Sequence, residues 1–180
     1  MKKNWNMFMF VLAVPLLILL GMAVKPVSAY MFGKEVVLET APFDPRDLLY
    51  GDYVSLQLAI SDIPKELLEP SVVKELENND DASFFSKSVT VYTSLIKEDG
   101  VYIAKEVTLA KPKKGLYLKG KIQVYSGILD QPTIYVDYGI DRYYVEENTG
   151  KHFEQEAQKG DIRVALKVKD GYGLIERLQF

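Results

Sequence analysis

Cysteine is absent from the 180 residues. That excludes disulfides, thiolate zinc sites, a cysteine nucleophile and the lipid-bearing cysteine of bacterial lipoproteins. Histidine occurs once, at His152. A transition-metal site would have to rest on it and on carboxylates such as Glu154 and Glu156, in a segment that reads more simply as a solvated helix face. No glycine-rich phosphate loop occurs, and no nucleophile motif supports a Ser/His/Asp triad. The close pair Ser83 and Lys87 likewise lacks the surroundings a Ser/Lys peptidase needs. Neither a metal nor a cofactor is expected.

An excess of positive charge is also missing. The chain carries 22 Lys plus Arg against 25 Asp plus Glu, and setting aside Lys2 and Lys3 leaves 20 against 25. This overall balance gives no reason to expect nucleic acid or an anionic lipid surface as partner of the domain, because both need a clustered positive field.

What is present begins with an uncharged run. Residues 5–24 read WNMFMFVLAVPLLILLGMAV, and about twenty apolar residues span the hydrocarbon core as a helix. Lys2 and Lys3 precede the run and Lys25 follows it, so the positive-inside bias places the N-terminus in the cytoplasm and the remainder outside. Pro15 is tolerable in a bilayer. A cleaved signal peptide is the alternative, with Val27-Ser28-Ala29 as the small-residue site and an exported soluble protein as the product. Signal peptides have apolar stretches of about 7 to 15 residues, which favours a retained anchor here. The expected organisation is a cytoplasmic stub at 1–4, a transmembrane helix at 5–24, a linker at 25–34 and one extracytoplasmic domain at 35–180.

The roughly 150 residues beyond the apolar run suit a single domain. The whole chain has 48% apolar residues, 12 Tyr and 8 Phe, enough for this domain to fill a core, and the bias leans toward strands. Alternation predicts strands at 35–39, 52–60, 88–97, 101–110, 116–126, 133–138, 141–145, 162–169 and 173–179. Asp99-Gly100 and Asp170-Gly171 have hairpin chemistry. Prolines divide a helical region into 64–68 and 71–77, a helical turn fits 46–50, a short helix fits 150–158, and Gly139 marks a bend. The fold expected is mainly β within the α+β class: a mixed antiparallel sheet or partly open barrel with one or two short helices, preceded by the membrane helix.

Residues 39–56, ETAPFDPRDLLYGDYVSL, resemble the signature of the GDYXXLXY-motif family, and residues 139–147, GIDRYYVEE, resemble its second block. Leu58 stands where the motif's final tyrosine is expected, and strand parity puts that position in the core. The resemblance implies a bacterial membrane-anchored protein of unassigned activity, often encoded beside multi-span membrane proteins. It therefore implies an accessory role and integral membrane partners.

Two groups of residues are candidate sites. Asp44, Pro45, Arg46, Asp47, Gly51, Asp52, Tyr53 and Leu56, with Gly139, Arg142 and Tyr143 of the second block, form the motif. Its three carboxylates and one guanidinium within nine residues could serve an envelope hydrolase, but turn chemistry explains them more simply: a fold-closing corner tied by Arg46 and Asp52, or a docking surface. Tyr117, Lys119, Lys121 and Tyr125 alternate on one strand face and form a possible binding face, or merely the wet side of a sheet.

Overall fold

The computed structural model describes residues 2–41, 53–78, 87–144 and 162–179. Helix α1 (Lys2–Phe32) contains Pro15 and Pro26. Residues 25–32 were expected to be linker but continue the helix, and Gly33 N donates to Ala29 O (2.8 Å) just before strand β1 (Lys34–Glu39) starts. Proline disfavours a helix interior. Tertiary contact offsets that here, because Ala29 is fully buried and Ser28 Oγ accepts a hydrogen bond from Lys169 Nζ (2.6 Å).

β2 (Tyr53–Ser55) is much shorter than the strand expected over 52–60. Burial still alternates beyond it, with Leu56, Leu58 and Ile60 inside and Gln57 and Ala59 outside. The ladder breaks because the chain changes partners: Leu56 N donates to Asp141 O, Leu58 bridges Thr40, and Ala59–Ser61 closes into a 3-10 turn. β3 (Asp62–Pro64) and a 3-10 turn at Lys65–Leu67 lead into α2 (Pro70–Glu77), which Pro70 opens at its first turn, where a missing N–H costs nothing.

β4 (Lys87–Glu98), β5 (Val101–Thr108) and β6 (Leu116–Val124) form a sheet in the order β5-β4-β6, with a bulge in β5 at Lys105. β7 (Thr133–Tyr135) pairs with β3, and β8 (Arg142–Tyr144) with β2. β9 (Arg163–Lys169) and β10 (Tyr172–Gln179) complete a sheet in the order β1-β9-β10. Every ladder between these strands is antiparallel, and among the described residues no barrel closes.

Both expected hairpins form. Asp99 and Gly100 have φ of 46° and 92°, and Asp170 and Gly171 have 51° and 81°. Two successive positive φ values match the right-handed twist of the flanking strands. β7, like β2, is shorter than its apolar pattern, since Val136 N turns to Ser61 O and Asp137 pairs with Lys121 on the free edge of β6. The helix expected at 150–158 and the turn at 46–50 lie outside the described residues.

The core has two lobes. One gathers Val36, Leu38, Leu56, Leu58, Ile140 and Leu166 around the β1-β9-β10 sheet. The other gathers Val72, Leu76, Val91, Val107, Ile122 and Ile134 between α2 and the β5-β4-β6 sheet. Tyr138 packs against both.

Candidate functional site

The structure joins the two motif blocks. Tyr53 opposes Tyr144, Val54 opposes Tyr143 and Ser55 opposes Arg142, and Leu56 N extends the ladder to Asp141 O at 2.7 Å. The second block enters this pairing through Gly139, whose φ is +68° and whose N–H donates to Asp137 Oδ1 (2.7 Å). Tyr143 leans on the first core lobe, and Arg142 lies 3.6 Å from Asp141 at the surface. Asp44, Pro45, Arg46, Asp47, Gly51 and Asp52 fall outside the described residues, so the hydrolase reading of that corner acquires no geometry.

Beside the paired blocks, Leu56, Leu58, Ser61, Tyr135, Asp137, Tyr138, Ile140 and Asp141 line a crevice of about 10 Å³. That is at most the room one water needs, far below a substrate pocket. Partial burial, then the carboxylates Asp137, Asp141 and Asp62, hold the Tyr135 phenol above its ordinary range. Among the described residues, no group of three His, Asp or Glu side chains converges as a metal site.

Tyr138 closes this region from within. Its hydroxyl lies 2.8 Å from Thr93 Oγ1 and donates to Ile60 O (3.1 Å), and Thr93 is fully buried. Desolvation pushes the phenol well above its usual value of 10.0, only partly opposed by the hydrogen bond from Thr93. Below pH 10 both folded and unfolded chains keep this proton, so the stabilisation is fully present. Above it the unfolded chain ionises first, and stability falls by up to about 1.4 kcal/mol per pH unit from this group. Tyr138→Phe should cost about 1 to 3 kcal/mol at neutral pH, because Thr93 and the Ile60 carbonyl lose a buried partner. It should also flatten the alkaline loss, which urea unfolding of the two proteins on either side of pH 10 will measure.

The lysine and tyrosine stripe divides. Lys119, Lys121 and Tyr125 are exposed as expected, but Tyr117 is buried. The β9–β10 turn folds over it: a Cβ on Gly171 would come within 2.6 Å of the Tyr117 ring, Tyr92 meets the ring edge-on at 5.9 Å, and Lys111 Nζ lies 5.7 Å from its centroid. Tyr117 is therefore packing between sheets rather than part of a binding face.

Lys119 instead borders a half-open cavity of about 390 Å³, lined by Val24, Lys25 and Ser28 of α1, Tyr138 and Gly139, and the β9–β10 turn from Lys169 to Gly173. Lys169 holds Ser28 and places its ammonium 4.9 Å from the Phe32 ring centroid. In the sequence, Lys25 and Ser28 bear only on membrane orientation and cleavage, and nothing marks Lys169. Lys25, as the first charge after the apolar run, was the available signal, but nothing local connects it with a hairpin 140 residues on.

The family model described as GDYXXLXY protein matches residues 15–178. No curated protein and no solved structure matches the chain. The match covers nearly all of the domain and much of α1, and the chain belongs to the GDYXXLXY family.

Proposed function

We propose that this member of the GDYXXLXY family is a single-pass, membrane-anchored accessory domain on the extracytoplasmic face, built to dock onto integral membrane partners. The observation that carries the reading is the continuity of α1 with the domain. By length and composition the apolar helix extends over Met9–Phe32, but its last two turns carry Ser28 and the buried Ala29 against the β9–β10 sheet. A sheet whose outer face bears Lys167, Arg177 and Glu35 does not enter hydrocarbon. The span is therefore set back to residues 5–24, which the flanking lysines also favour.

Held in this way, the domain lies close to the membrane surface, and its exposed Lys121 and Tyr125 are available to a partner. Retention of the anchor draws support from the same contact. Cleavage after Ala29 would cut within a helix and leave Lys169 without Ser28.

Purification of the full chain from mild detergent, followed by mass spectrometry, tests the docking role. A stoichiometric multi-span partner is expected. A lone monomer with metal-dependent hydrolytic activity would overturn the accessory reading in favour of an enzyme acting through Asp44, Arg46, Asp47 and Asp52.

A further inference from the structure

We infer that the cavity between α1 and the β9–β10 turn holds the phosphate headgroup of an anionic phospholipid in the leaflet on the domain's side of the membrane. The inference rests on the membrane-anchored reading above and adds a ligand to it.

Depth is the first argument. The cavity begins at Val24, the last residue of the uncharged run, and continues along Lys25 and Ser28 of the same helix. At 1.5 Å per residue, Ser28 stands about 6 Å beyond Val24. The polar layer on each side of the hydrocarbon is about 5 to 8 Å deep. The opening therefore lies at headgroup level, with the acyl chains continuing beside the exposed apolar surface of α1.

Charge is the second. Overall the domain is mildly acidic, but the lining of this cavity brings together Lys25, Lys119 and Lys169 from three separate elements. Asp170 also lines it, and that exposed carboxylate is 3.6 Å from Lys111, which offsets part of its charge. Lys169, partly covered and bonded to Ser28, is positioned before any ligand arrives, and a preset ammonium and hydroxyl lower the ordering cost of binding. Size is the third argument, since about 390 Å³ is within the usual range of small-ligand sites and accommodates a glycerophosphate headgroup.

Full-length protein in detergent, titrated with phosphatidylglycerol or phosphatidylcholine and read by native mass spectrometry, tests the assignment. Phosphatidylglycerol is expected to bind at least about tenfold more tightly, because each lysine near an anionic headgroup contributes about fivefold. Lys119→Gln should lose about fivefold of that preference without altering the melting temperature. Lys169→Gln should lose as much or more, since it also releases Ser28. The charge-matched pair Lys74→Gln and Lys105→Gln, outside the cavity, should retain the full preference.

Equal binding of the two lipids, or equal loss in the control pair, would overturn the site. Inorganic phosphate binding as tightly as the lipid would assign the cavity to a free anion instead. Flotation with phosphatidylcholine vesicles separates the two readings: failure to float would overturn the anchor, whereas flotation without lipid preference would overturn only the headgroup site.

Discussion

Leu56→Ala is expected to destabilise the protein by about 2 to 5 kcal/mol, the range for deleting a buried leucine side chain when the surroundings relax only partly. Leu56 is 6% exposed and belongs to the lobe that includes Leu58, Ile60, Ile140 and Leu166. Its amide ties the first motif block to the second through Asp141 O. The substitution removes packing but retains that hydrogen bond, so the loss should show in the urea midpoint with little change in slope. It should need no ligand to be seen. An unchanged midpoint accompanied by loss of partner binding would mean that the motif is a functional surface rather than the seam closing the fold.

Gly120→Ala should be comparably damaging for the opposite reason. A Cβ there would lie 2.4 Å from Val136 Cγ1 and about 3.0 Å from the Tyr138 ring, where Val136 is fully buried. Neither neighbour can swing into solvent, so β6 would have to separate from the 136–138 segment it holds through the Lys121–Asp137 pair. Overpacking of this kind costs about 1 to 3 kcal/mol or more. Val136→Ala in the same chain removes the closest methyl and should recover part of the loss, giving a coupling energy in a double-mutant cycle. Additive losses would show that the two positions do not compete for one space.

The parts of the fold that could be read in advance are those fixed by local chemistry. Asp99-Gly100 and Asp170-Gly171 dictate their turns, Pro70 opens α2, and the alternation in β4, β6 and β9 gives their buried faces directly. What could not be read is set by partners distant in sequence. The pattern at 52–60 is that of one strand, yet Leu56 and Leu58 meet different neighbours and the ladder ends at Ser55. Tyr117 has the parity of a solvent-facing residue, and only the arrival of Gly171 buries it. Residues 25–32 carry a proline and a basic residue that suit a linker, and the contacts of Ser28 and Ala29 with the sheet keep them helical. The same contacts form the lysine-lined cavity, whose lining joins segments far apart in the sequence.

The arrangement at the membrane can be measured directly because the chain has no cysteine of its own. Single-cysteine variants Tyr125→Cys, at an exposed position just beyond β6, and Asn4→Cys, which leaves Lys2 and Lys3 in place, can be treated with a membrane-impermeant maleimide in intact spheroplasts and again after lysis. A retained anchor with the domain outside predicts that Tyr125→Cys reacts in both conditions and Asn4→Cys only after lysis, on an unprocessed chain. Protection of Tyr125→Cys until lysis, or a mature chain that begins at Tyr30 and has lost the Asn4→Cys label, would contradict it.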